Sequence, residues 1–100
     1  MSPQSTSQRL LLTDDCTPRL APHMRLRHDP AREQWTVQAP ERSFLLDEIA
    51  HVVVARCDGR ASLSVIIEGL CADFSAPRDV IAQDVTALLQ DLADKGVIAT

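Results

Sequence analysis

PERSFLLDEIAHVVVARCDG, residues 40–59, holds a strand, a helix and both boundaries of that helix. Ser43 to Leu46 is a short apolar run of strand length. Asp47 is a residue type that caps helix N-termini, and Asp58-Gly59 supplies a stop, so the spacing predicts a helix from about Glu48 to Arg56. Ile49, Val52, Val53 and Cys57 are its expected buried face. Ile49 and Val52 to Val54 are β-branched, which makes the segment a weak helix by propensity, so tertiary packing must hold it.

Towards the N-terminus, Gln34 to Gln38 (QWTVQ) alternates apolar Trp35 and Val37 with polar residues, which is strand period. Ala39-Pro40-Glu41 turns the chain between this strand and the next. In His23 to His28, Met24, Leu26 and His28 alternate with Arg25 and Arg27, and residues 29–33 form a turn. Connections this short favour neighbours, so the three strands form an antiparallel meander. Pro18 and Pro22 mark entry into the domain, expected to span residues 18–100. Residues 1–17 are rich in Ser, Thr and Gln around Leu10-Leu11-Leu12 and are expected to be a disordered tail.

Towards the C-terminus two further helices follow. Ser62 caps the second, whose stripe is Leu63, Ile66, Ile67, Leu70 and Phe74. The third opens near Pro77 and Asp79, carries Ile81, Val85, Leu88, Leu89 and Leu92 as its core stripe, and closes at Lys95-Gly96. Val97-Ile98 either packs back or adds a short strand. The fold class is therefore α+β: a three-stranded antiparallel β-meander followed by three α-helices.

One hundred residues make one small domain, and with only three aromatics its core must be aliphatic. Residues 1–46 carry a charge of +1 and residues 47–100 carry −5, so the helical half repels phosphate. Cys16, Cys57 and Cys71 are odd in number and lack metal spacing, which points to a reduced cytoplasmic setting, with Cys57 and Cys71 as structural thiols. No run of about 18 apolar residues is present, and no charged-then-apolar start, so neither a membrane span nor a signal peptide is expected.

Several motifs together carry a resemblance. They are RLAPHMRLRHD at Arg19 to Asp29, W-x-V-x-A-P-E-R at Trp35 to Arg42, L-D-E-I-A at Leu46 to Ala50 and C-D-G at Cys57 to Gly59. The last is D-V-x-x-L-L-Q-D-L-x-D-K-G-V-I at Asp84 to Ile98. In this order and spacing the chain resembles the pyrroloquinoline quinone (PQQ) biosynthesis protein D family, PqqD, over about residues 18 to 98. Asp47 departs from a position where Asn is as common, but both cap helices. The resemblance implies a winged-helix-like peptide-recognition module without cofactor or chemistry of its own. It implies a chaperone that binds the precursor peptide PqqA and presents it to the radical-SAM enzyme PqqE for Glu–Tyr cross-linking.

The residues support a binding edge independently. The first strand is guarded by Arg25 and Arg27 and bracketed by Pro22 and Pro30. The third, Ser43-Phe44-Leu45-Leu46, has no such guard, so an extended peptide can add there as a fourth strand, with Phe44 and Leu46 serving the core as well. About five new hydrogen bonds at roughly 1 kcal/mol each fall short of the roughly 8 kcal/mol of micromolar binding. Side-chain contacts must supply the rest. The third helix offers Val80, Asp84, Ala87 and Asp91 as a stripe beside its core face, with Leu88 at the border. Val80 and Ala87 are expected to meet apolar peptide groups. Asp84 and Asp91 either select against acidic peptides and pair with cations, or are simply solvated. Arg42 either holds a peptide carboxylate or has no specific role.

Catalysis lacks an inventory: His23, His28 and His51 have no metal spacing with the cysteines, and no phosphate loop fits three glycines. A winged-helix DNA-binding domain is the alternative, disfavoured because the second helix carries Glu68 and no cation. A homodimer through strand exchange at the free edge is a third reading.

Overall fold

The computed structural model describes residues 11–100. Its elements are β1 (Arg19–Leu20), β2 (Arg25–Asp29), β3 (Gln34–Gln38), β4 (Ser43–Leu46), α1 (Glu48–Ala55), α2 (Leu63–Phe74), α3 (Arg78–Asp94) and β5 (Ile98–Ala99). β2, β3 and β4 form the expected antiparallel meander in that order. Leu26, Val37 and Phe44 stand opposite one another, as do His28, Trp35 and Leu46, so one face of the sheet is apolar and aromatic. That face supplies Val37 and Leu46 to the core, where α1, α2 and α3 meet it.

The caps are where the residue types place them. Asp47 accepts a hydrogen bond from the Ala50 N–H at 2.7 Å, and the Ser62 hydroxyl accepts from Val65 N–H at 3.2 Å. Asp58 accepts from Arg60 and Ala61 N–H in the turn after α1, and these bonds, Ala61 first, hold its carboxyl below the usual range. α2 ends on Ser75, which takes the left-handed conformation at φ 52° that glycine usually fills. The Arg56 guanidinium bonds Asp73 and lies across Gly69, tying α1 to α2.

Three expectations for the strands and helices change. β2 begins at Arg25, because His23 turns the chain with φ 71°. The buried stripe of α1 is Ala50, Val53, Val54 and Cys57, one residue out of phase with the one expected, which leaves Ile49 62% exposed. The α2 stripe holds for Leu63, Ile66, Ile67 and Leu70, but Phe74 is 46% exposed at the helix end.

The chain does return as a strand after α3, but over Ile98–Ala99, with Val97 in the bend before it. β5 pairs with β1 in register Arg19↔Ala99 and Leu20↔Ile98, and the Ala21 N–H donates to the Val97 carbonyl at 2.9 Å. Of the expected tail, residues 1–10 lie outside the described residues. The next few are tied down: Leu12 N–H donates to Gln90 Oε1 at 3.1 Å, Leu63 N–H to the Cys16 carbonyl at 2.8 Å and Ser64 N–H to the Asp14 carbonyl at 3.1 Å. Packed structure therefore begins before Pro18, which is itself fully buried. Among the described residues, no helix is long and apolar enough to cross a membrane.

Candidate functional site

β4 is an edge strand, and its register decides which backbone groups face outward. The Ala39 N–H donates to the Arg42 carbonyl at 2.8 Å, so this opposed pair is hydrogen-bonded. Bonded and non-bonded pairs alternate in an antiparallel ladder. Phe44 and Leu46 therefore bond to Val37 and Trp35, while the N–H and C=O of Ser43 and Leu45 point to the open edge. The edge offers four backbone groups, one fewer than the five bonds expected from strand length. Phe44 is half-buried and Leu46 buried on the inner face; Ser43 and Leu45 look outward, Leu45 66% exposed.

α3 meets this edge at its C-terminal end, through the Arg42–Lys95 bond, and presents the expected stripe. Val80, Asp84, Ala87 and Asp91 are all exposed, Leu88 is half-buried, and Val85, Leu89 and Leu92 are buried. Arg42 bridges the two walls at one end: its Nη2 donates to the Lys95 carbonyl at 3.1 Å, and its guanidinium sits 4.9 Å from the centre of the Phe44 ring. Asp91 pairs with Lys95 at 2.9 Å. Two of the expected peptide-contacting charges thus already have partners within the chain.

Towards the N-terminal end of α3 a cavity of about 280 Å³ opens between α1, α2 and α3, with no β4 residue in its lining. Val80, Asp84 and Leu88 line it with Ile49, Val53, Leu70, Phe74, Ala76, Ile81 and Val85. The structure brings these three predicted residues together there; Ala87 and Asp91 are not in the lining. Periodicity places Ile49 and Phe74 in the core, whereas in the structure both are exposed at the cavity's rim. Helical spacing tells which residues share a face, but not whether the facing wall extends far enough to cover them.

Leu45 and Leu46 border a second, polar hollow lined also by Glu33, Asp47, Glu48 and His51. There Trp35 stacks against His51 with ring centres 4.4 Å apart and planes 4° from parallel, and lies 4.6 Å from His28. His28 and His51 thus have ring packing as their role, and His51 Nδ1 is buried without a hydrogen-bond partner. Burial, reinforced by the Asp58 charge and then by Cys16, pushes the Cys57 thiol up to about 12, so at neutral pH it is an inert core thiol.

A three-stranded meander backed by three helices defines a winged-helix-like α+β module. The family model described as "Coenzyme PQQ synthesis protein D (PqqD)" matches residues 34–98. The chain belongs to the PqqD family. A "PqqA binding protein" of Rhodopseudomonas palustris (strain ATCC BAA-98 / CGA009) is 43% identical over 91 residues, covering 91% of this chain and 89% of the relative. Another "PqqA binding protein", from Gluconobacter oxydans (strain 621H), is 47% identical over 76 residues, covering 76% and 79%. The solution structure of the PqqD truncation of Methylobacterium extorquens PqqCD superposes with a TM-score of 0.79 at 33% identity, covering 93% of this chain and 99% of that one. It is described as a functional, stand-alone recognition element for ribosomally synthesised and post-translationally modified peptides. The crystal structure of PqqD from Xanthomonas campestris is 44% identical, with a TM-score of 0.53 and coverage of 84% and 93%.

Proposed function

We propose that this chain is the peptide-binding component of PQQ biosynthesis and takes the precursor peptide PqqA as a fourth strand on β4. The observation that carries this reading is the pair of outward-facing residues, Ser43 and Leu45, whose backbone groups have no strand on that side among the described residues. Four backbone bonds contribute about 4 kcal/mol, roughly half of what micromolar binding needs. Ordering the peptide costs a further ~2–5 kcal/mol, so side-chain contacts must supply more than the backbone does. Val80, Ala87 and Leu88 meet the apolar side chains of the peptide, Asp84 meets a cation, and Asp91 acts with Lys95 as a neutral pair. Arg42 spends one donor on Lys95 and keeps others for a peptide carboxylate.

The chain itself is non-catalytic and presents the bound peptide to the radical-SAM enzyme PqqE, as the family resemblance implies. It works in the cytoplasm, where its three free cysteines stay reduced. A second copy exchanging strands at β4 would compete with the peptide for the same edge. An amide NMR titration with synthetic PqqA tests the reading. Shifts are expected over residues 42–46 and 80–91. Shifts confined to α2 or to residues 11–18 would discard the groove, and an unchanged spectrum at millimolar peptide would discard the peptide-binding reading.

A further inference from the structure

The polar hollow where β4 runs into α1 has a volume of about 600 Å³, within the roughly 300–1,000 Å³ of ligand sites. Leu45 and Leu46 form one side of it, so it is continuous with the open edge of β4. Three carboxylates line it, those of Glu33, Asp47 and Glu48, and no Lys or Arg stands beside them. Among the described residues none of the three makes an ion pair, and Asp47 gives one oxygen to the Ala50 N–H.

A second, independent feature of the lining asks for a donor. His51 borders the hollow, and its Nδ1 is buried without a hydrogen-bond partner. With its proton on Nε2, the neutral ring leaves that nitrogen as an unpaired acceptor. A buried polar atom left unpaired is costly, so a donor brought by a ligand gains more here than on open surface. Carboxylates beside an imidazole acceptor suit a cation rich in N–H groups, the ammonium of Lys or the guanidinium of Arg. Among the described residues no three such side chains are arranged to hold a metal ion.

Direction and register follow from the sheet. A strand added to β2-β3-β4 in the same alternation runs antiparallel to β4, so its N-terminal part passes Leu46. The outward N–H and C=O of Leu45 pair with the residue facing them. One residue upstream, the peptide stands opposite Leu46 and extends the inner-face row of His28, Trp35 and Leu46. Two upstream, it stands opposite Asp47. Both positions bring a long side chain to the hollow.

We propose that this hollow is a charge-reading subsite for one Lys or Arg of the bound peptide, one or two residues N-terminal to the residue that faces Leu45. The inference rests on the strand-addition reading and adds a register to it, since a strand that slips along β4 carries its cation away from the carboxylates.

The test is an NMR titration of the ¹⁵N-labelled full chain with synthetic PqqA, in which each Lys and Arg is replaced singly by Gln. Contacts between Leu45 and the peptide backbone identify the facing residue. Trp35 is the chain's single tryptophan and lines the hollow, so its indole N–H reports on occupancy. One replacement at the stated positions should weaken binding about fivefold or more and leave the indole signal unmoved. Joint Glu33→Gln and Glu48→Gln changes should weaken the parent peptide equally, and the two losses should not add. Glu48→Lys should be rescued by a peptide with Glu in place of its cation. Glu33 lies outside the helices, so Glu33→Gln alone keeps the test valid if changing Glu48 in the first turn of α1 lowers the melt. A peptide that shifts residues 42–46 but binds the joint variant unchanged overturns the subsite and leaves strand addition standing. A peptide that shifts neither β4 nor Trp35 overturns the reading beneath it. A joint variant that keeps the peptide and loses only PqqE assigns the hollow to the enzyme and also overturns the subsite.

Discussion

Leu45→Pro separates use of the β4 edge from its mere exposure. The Leu45 N–H points away from β3, so proline at this position removes no ladder bond, and edge strands tolerate it in that orientation. Phe44, the residue before it, is already extended, as a pre-proline residue must be. Against a peptide the change is severe. Loss of the donor alone removes about 1 kcal/mol, roughly fivefold in affinity. The ring methylenes also stand where the incoming carbonyl would sit, so the paired bond at Leu45 goes too, making about 2 kcal/mol, or roughly thirtyfold. If the obstruction spreads to the two Ser43 groups, the ceiling is about 4 kcal/mol, close to a thousandfold. Leu45→Ala is the control for the lost side chain. Phe44→Pro is the control for position, since its N–H belongs to the ladder and its loss should unfold a marginal domain. The assay is fluorescence anisotropy with labelled PqqA, beside thermal melts of all three variants. Equal affinity of Leu45→Pro and Leu45→Ala would refute use of this edge. A melt for Leu45→Pro as low as that of Phe44→Pro would refute the assignment of outward-facing groups.

Further outcomes follow from single contacts. Ser75→Gly should raise stability by about 0.5–1 kcal/mol, read as a Tm increase of a few degrees, because the left-handed end of α2 strains a residue with a Cβ. Arg42→Ala removes the bond to the Lys95 carbonyl and the contact over Phe44, and should lower stability by roughly 1 kcal/mol in urea titrations. Cys57 keeps its proton in the folded chain up to about 12, while the unfolded thiol loses it above about 9.0. Stability should therefore be intact below pH 9 and fall between the two values, by at most roughly 1.4 kcal/mol per pH unit. Urea midpoints of wild type and Cys57→Ala measured on either side of pH 9 should diverge in slope only on the alkaline side.

The meander was legible because alternation over five residues with a turn at each end fits little else, and α2 and α3 because their stripes repeat over several turns. Caps were legible residue by residue: Asp47 and Ser62 each make the bond their side chain is built for. The phase of α1 was not, because Val52, Val53 and Val54 are all apolar and a short helix with three adjacent valines has no single face in its sequence. β1 and β5 have two residues each, too few to show any period, and their pairing joins positions some eighty residues apart. The exposed stripe on α3 was legible because it lies beside the core stripe at helical spacing. The cavity was not, because its rim residues carry the same hydrophobic pattern as core and differ only in what fails to cover them.

The β1–β5 pair sets Arg19 and Ala99 one strand spacing apart, roughly 5 Å. Before Arg19 the chain does not leave the domain but crosses α2 and α3, held by the Leu12–Gln90, Asp14–Ser64 and Cys16–Leu63 bonds. The lead-in is thus a strap over the helices and not a free leash. A fusion joined directly at Pro18 would therefore strip part of the packed structure, whereas the turn at residues 29–33 offers an insertion point away from both β4 and the strap.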